Sequence, residues 1–342
     1  NMSVKLIRDV SLSPLSTMNI GGKAFAVAEI KSKEDIVELI KLSKSQKKPL
    51  VIIGEGSNTI FNDKKLPIIL GIMSATGISI VRESSKNCTL KIESGTHWDD
   101  VVEYAVINNL SGIEAMSAIP GSAGATPVQN VGAYGQEIKD TLKEVEVFDT
   151  EKKSWKTLTK DACKLSYRNS IFKKSPGKFI ISSITITLNK GKLKIPNYPN
   201  LIAYLKNHDI ENPTLRDIRN AVIDIRSNKL PDPAEIPNCG SFFKNPIISS
   251  KEIKRLEKEY PDIPTFKTET GKFKIPAGWL IENAGLKGKD FGEFEVYKNN
   301  ALVLTNKGNG SYKKLRRVIK IIIDSVYKKF GVTIDPEPNF VE

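Results

Sequence analysis

Soft metal ligands are scarce in this chain of 342 residues, which has two histidines, His97 and His208, and three cysteines, Cys88, Cys163 and Cys239. The cysteines are far apart and odd in number, so neither a disulfide framework nor a Cys-x-x-Cys metal site is expected. Zinc chemistry and a Cys-His nucleophile have too few ligands to draw on, no metal is expected, and the chemistry must come from other side chains or an organic cofactor. Long apolar runs are also lacking. Val51–Gly54 and Ile319–Ile323 fall far short of the ~20 residues that cross a bilayer, so no membrane insertion is expected. Asn1 ahead of Met2 reads as the scar of a cleaved tag, the residues after it carry no secretory signal, and a cytoplasmic location is expected. Arginine is rare too, at nine of 52 basic residues, so the net charge of +13 reads as lysine bias spread among the acids and not as a nucleic-acid groove. Anionic small molecules remain attractive partners.

What is present suits a soluble globular protein of two or three domains, with 39% hydrophobic and 27% charged residues. The first ~70 residues read as a small α/β unit. Ala26–Ile30 is a strand, Ser32 and Asp35 have capping-box spacing, and Ile36, Leu39, Ile40 and Leu42 form the apolar face of a helix. The strand Leu50–Ile53 then breaks at Gly54-Glu55-Gly56-Ser57-Asn58. Farther on, Ile78–Val81 and Cys88–Ile92 are β-prone and Asp99–Asn109 is helical. The long run of small residues 118–137 follows, with glycines at 121, 124, 132 and 135 too dense for an element interior. Beyond 215, helices are expected at Ile218–Ser227, Glu252–Tyr260, Ala277–Ala284 and Ser311–Phe330, a short strand or turn at Cys239–Asn245, and a strand at Ala301–Leu304. The class is α+β with several small mixed sheets.

The two glycine-rich turns, 54–58 and 121–124, match neither a Gly-x-Gly-x-x-Gly nor a P-loop spacing. Each alone is as readily a plain turn as a ligand cradle; together they could wrap a dinucleotide pyrophosphate with main-chain donors. Four further clusters mix a reactive group with polar anchors: 166–173 around Arg168, 229–233 beginning at Lys229, 240–246 around Ser241, and 335–337 ending at Glu337. Taken singly, Arg168 reads more readily as a structural ion pair, Ser241 as a turn hydroxyl, Lys229 as a solvated helix end and Glu337 as a tail charge.

As an ordered set, these segments with Gln129–Glu137 and Ala277–Gly288 resemble the UDP-N-acetylenolpyruvoylglucosamine reductase family, in sequence order from about Leu15 to Glu337. The resemblance implies FAD bound as in the vanillyl-alcohol-oxidase-like (PCMH-type) flavoproteins, by one subdomain over 1–72 and a second over 73–215. The tail 330–342 would return to the flavin site, and a substrate domain would span 216–329. Flavin contacts would come from Gly54, Glu55, Gly56, Ser57, Asn58, Pro120, Gly121, Ser122, Gly124, Ala125 and Gly132. NADPH is implied as co-substrate and a UDP-sugar enolpyruvyl ether as substrate, in cell-wall precursor synthesis, by a monomer.

In the same family pattern, Arg168 stabilises the enediolate, Glu337 polarises the substrate carboxylate, and Ser241 donates the proton. Lys229, Asn245, Lys274 and Lys287 hold the nucleotide diphosphate or the reacting end of the substrate. The insertion Gly191–Leu201 resembles the tyrosine loop of the family's first type, with Tyr198 as its tyrosine. Two positions depart from the pattern: Asn339 stands where an arginine is expected, and Phe266 where a tyrosine is. A flavin oxidase of the same superfamily is the competing expectation, separable by oxygen uptake without NADPH, and a nucleic-acid-binding protein is the third.

Overall fold

The structure, a computed structural model, describes residues 4–191 and 193–342; the Asn1–Met2 junction and Lys192 of the tyrosine-loop segment lie outside them. The chain forms two compact units, one running to Val10 and continuing through Lys23–Gly56 and Lys65–Ser227, the other made of Ser11–Gly22, Ser57–Lys64 and Asn228–Glu342.

In the first unit, the strands Ile7–Ser11, Lys23–Ile30, Leu66–Met73 and Leu50–Ile53 form one sheet in that order, the last three parallel. A parallel pair needs a crossover, and the helix Lys33–Ser45 supplies it. Its start is the expected capping box: Ser32 accepts from Asp35 N, and the Asp35 side chain accepts from Ser32 N. Ile36, Leu39 and Ile40 are buried against the sheet, while Leu42 is half-buried. The second sheet is antiparallel, in the order Ser154–Thr159, Leu142–Asp149, Phe179–Asn189, Asn87–Glu93, Ile78–Glu83. The helix Trp98–Ile107 packs Trp98, Val101, Val102 and Ala105 into the same core as Leu90, Ile92, Ile184 and Ile186. A smaller cluster joins the helices Pro199–Asn207 and Leu215–Lys229 through Leu201, Leu205, Ile218, Ala221 and Val222.

The second unit is organised by the helix Tyr312–Phe330, capped by Ser311 and buried along Leu315, Val318, Ile319, Ile322 and Val326. Short sheets surround it: Ile247–Ile248 with Phe273–Lys274 and Phe266–Lys267, and Phe294–Val296 with Leu304–Asn306. Two early segments belong here because their apolar side chains do. Met18, Ile20 and Ile60 lie in this core, Asn306 Nδ2 donates to Met18 O at 2.9 Å, and Asn339–Val341 pairs in parallel with Thr59–Phe61. The expected strand at Ala301–Leu304 is displaced to Leu304–Asn306. The α+β class expected from the sequence stands.

Candidate functional site

Close packing of main chain brings the two glycine-rich turns of the first unit together. A Cβ on Gly54 would stand 2.0 Å from Ser122 Oγ, and one on Gly124 would stand 1.7 Å from Ser94 Oγ, so only glycine fits either position. Ser94, Thr96, Ser122, Thr126 and Asn130 are buried around them, a polar strip unusual for an interior. Many main-chain donors of the second turn are already used within the fold. Ala123 N donates to Thr96 O at 2.8 Å, Gly124 N to Ser94 O at 2.9 Å and Ala125 N to Ser122 O at 3.1 Å. Gly121 N donates to the Glu55 carboxylate at 2.9 Å, whose other oxygen lies 2.6 Å from His97 Nδ1. Pro120 is exposed at the head of this turn.

Arg168 sits in the same unit, in a four-residue turn closed by reciprocal main-chain bonds between Ser166 and Asn169. Its guanidinium donates to the Asn130 carbonyl at 3.3 Å and the Gly132 carbonyl at 3.4 Å and lies over the Tyr167 ring. The turn is anchored by Ser170, which caps the helix Ile171–Lys174 and donates to Val128 O. Arg168, Asn130, Tyr134 and Ala118 all have left-handed φ, between 47° and 60°. Such conformations are costly for residues with a Cβ and concentrate where structure is held for function.

Tyr198 precedes the helix Pro199–Asn207 and meets the ring of Tyr134 edge-on, with centroids 5.3 Å apart. The Asn197 carbonyl and Pro196 lie near Gly135. The Tyr134 hydroxyl is hydrogen-bonded to Arg226, and burial pushes the phenol's pKa up and the guanidinium's down. Neither Tyr134 nor Arg226 was expected at the site. The signal for Arg226 was a helix-face repeat, since Arg219 and Arg226 are two turns apart beside Ile218, Val222 and Ile225. Arg219 is buried and forks onto Asp99 at 2.7 and 3.0 Å, and Asp99 also accepts the Ala118 N–H at 2.6 Å.

In the second unit, Ser241 bridges Val303 while Phe243 bridges Pro336, and Glu337 N donates to Phe242 O at 2.7 Å. Ser241 and Glu337 are therefore on adjacent extended segments, one residue out of register. Glu337 is buried, and Cys239 is buried beside it; burial first, then the Glu337 charge, pushes that thiol's pKa far up. Asn238, also missed in the sequence, shapes the approach by donating to the Pro231 and Ile236 carbonyls and accepting from Gly240 N. Asn245 Oδ1 accepts the Ala277 N–H at 2.9 Å, a structural bond at the start of the helix Ala277–Asn283. Lys274 is half-buried in its strand, Lys229 is exposed at its helix end, and Lys287 is paired with Glu282 at 3.0 Å. Ser57 and Asn58 belong to this unit, where Asn339 N donates to Asn58 O at 2.9 Å.

Two family profiles match the chain: an FAD binding domain over residues 24–156, and the UDP-N-acetylenolpyruvoylglucosamine reductase C-terminal domain over 232–341. A protein of Flavobacterium johnsoniae named UDP-N-acetylenolpyruvoylglucosamine reductase is 40% identical over 333 residues, 97% of this chain and 98% of its own. A Pseudomonas aeruginosa protein of the same name is 34% identical over 338 residues, 99% of each. The crystal structure of UDP-N-acetylenolpyruvylglucosamine reductase from Thermus caldophilus matches with a TM-score of 0.68 and 20% identity, over 99% of this chain and 100% of that one. At that identity the likeness is one of fold.

Proposed function

The chain belongs to the UDP-N-acetylenolpyruvoylglucosamine reductase family, and from that premise we propose how it carries out the family's FAD-dependent reduction, with NADPH as the source of electrons. The product is UDP-N-acetylmuramate, a cell-wall precursor. The observation that supports the flavin reading best is the clamping of the Gly54–Gly56 turn onto Gly121 and Ser122 over a buried polar strip. Small polar residues and close-packed main chain suit a diphosphate, which larger side chains would obstruct.

When bound, FAD supplies a two-electron carrier between the nicotinamide and the terminal carbon of the enolpyruvyl group. The residues of this chain handle the charge and the proton. Negative charge develops on the substrate carboxylate as an enediolate forms, and the planar Arg168 fork stabilises it through paired N–H donors. Its bonds to the Asn130 and Gly132 carbonyls, at 3.3 and 3.4 Å, are long enough to yield to a carboxylate without loss of the arginine's position. Glu337 polarises that carboxylate. Ser241 then gives its hydroxyl proton to the α-carbon on one face. A hydroxyl is a weak acid, but a carbanion-like enediolate is a strong base, so the transfer runs downhill.

Lys229, Asn245 and Lys274 bind the diphosphate or the reacting end, and Lys287 joins them by leaving Glu282. Tyr198 closes over the substrate as the loop tyrosine of the first type. The test is NADPH consumption by the flavin-loaded protein on adding the enolpyruvyl sugar nucleotide. Oxidation that depends on that substrate supports the reading; oxygen uptake with an alcohol or hydroxy acid, and none with the sugar nucleotide, replaces it by an oxidase.

A further inference from the structure

Glu55 and His97 have no part in the reaction above, yet they stand at the flavin turns. The Glu55 carboxylate follows the strand Leu50–Ile53 and joins two other pieces of chain, His97 Nδ1 at 2.6 Å and the Gly121 main-chain N–H at 2.9 Å. Both carboxylate oxygens therefore hold protein to protein. Gly121 N–H is among the donors a pyrophosphate at this turn would seek, and here a carboxylate already has it. A carboxylate that stays beside a bound diphosphate repels it, unless a cation next to the carboxylate offsets the charge. His97 is the group within reach to do so. The charged groups facing His97 are Glu55 and, from the helix His97 precedes, Asp99, whose own charge is taken up by Arg219.

Resting on the flavin reading above, we propose that Glu55 is a positioning residue and not a flavin ligand, and that protonated His97 is the counter-charge that lets FAD bind beside it. Glu55 staples the first turn to the second; His97 sets how strongly the staple's charge opposes the cofactor. The sign follows directly. FAD is held more tightly with His97 protonated than neutral, so affinity falls as pH rises.

The experiment measures FAD release from the loaded protein on dilution, by the rise in free-flavin fluorescence, at pH 6 and pH 8. The Glu55 and His97 side chains are 36% and 42% exposed, so substitutions there leave the core intact. Wild type should hold FAD about tenfold more tightly at the lower pH, the scale of one partly screened charge contact. His97→Gln should lose the pH dependence and stay near the weaker wild-type value. Glu55→Gln, whose amide oxygen can still accept from Gly121 N–H, lacks the opposing charge and should hold FAD at both pH values at least as tightly as wild type does at pH 6. Glu55→Ala should release FAD at least tenfold faster at both pH values, because the staple is gone. An unchanged pH slope in His97→Gln, or wild-type retention in Glu55→Ala, overturns the proposal. A wild-type protein that neither carries nor takes up FAD would instead overturn the flavin reading on which it rests.

Discussion

Asp99→Asn tests whether the helix Leu215–Lys229 holds the glycine-rich turns in place. Arg219 donates to both Asp99 oxygens at 2.7 and 3.0 Å and through Nε to Glu103 at 2.5 Å, with its side chain only 8% exposed. Two unit charges about 4 Å apart at an effective dielectric of about 20 attract by about 4 kcal/mol. Asp99 is a quarter exposed and Glu103 remains with Arg219 in the variant, so about half of that is expected to be lost, about 2 kcal/mol. For a unit of this size the melting temperature should drop by about 4–8 °C. Burial alone would raise the Asp99 pKa, but the hydrogen bond from Arg219, the Ala118 N–H and the nearby positive charge outweigh it and hold the carboxyl below its usual range. A depressed folded pKa gives stability that is complete above the unfolded pKa of about 4 and disappears as pH falls through the folded one. The gap between wild type and variant, read by circular dichroism melts, should thus be constant from pH 6 to 8 and narrow below about pH 4. Because Asp99 also holds Ala118 N at 2.6 Å, flavin retention should fall with stability. Equal melting temperatures at pH 7, or a gap that widens in acid, would refute this.

Three further outcomes are expected. Gly124→Ala should lower the flavin-to-protein absorbance ratio and cost about 1–3 kcal/mol, since its Cβ would stand 1.7 Å from Ser94 Oγ; adding Ser94→Ala should restore part of both, and a silent Gly124→Ala would show that the turns are not close-packed. Deleting Gly191–Leu201 would also remove the fully buried Leu201, so Tyr198→Ala is the cleaner test of the loop: KM for the sugar nucleotide should rise about tenfold with flavin content intact. Flavin loss in that variant would assign the loop to the cofactor. Arg168→Lys should slow turnover about 10²–10³-fold, because an ammonium cannot reproduce a planar two-donor fork, and near-normal turnover would remove Arg168 from the reaction.

Elements with a strong local signature were legible in the sequence. Ser32 with Asp35 announced one helix, and the apolar stripe from Leu315 to Val326 announced another. The strand Phe179–Asn189 was not seen, because it is buried on both faces along most of its length and lacks alternation. The helix Pro199–Asn207 was hidden in a segment read as loop, although proline at a first helical position is a start signal as well as a turn signal. Contacts across long sequence separations left no local trace. Glu55 meets His97 42 residues away and Gly121 66 residues away, and Met18, Ile20 and Ile60 are buried with side chains from beyond residue 238. Arg168 and Ser241 became candidates through the ordered resemblance to the family, since each residue type alone reads as an ion pair or a turn hydroxyl. The candidate site was invisible where a common residue acquires a role from its neighbours, as at Asp99, Asn238 and Arg226.

The proposed reduction runs in two halves, NADPH to flavin and then flavin to substrate with a proton from Ser241, and stopped-flow absorbance of the flavin reads the halves separately when Ser241→Ala is mixed first with NADPH and then with the enolpyruvyl sugar nucleotide. NADPH should bleach the flavin of the variant at close to the wild-type rate. Reoxidation by the sugar nucleotide should be slower by about 10²–10⁴-fold, the loss expected for a positioned general acid. Equal slowing of both halves would make Ser241 a structural or flavin-contacting residue, and wild-type protein whose reduced flavin is not reoxidised by the sugar nucleotide would contradict the account altogether.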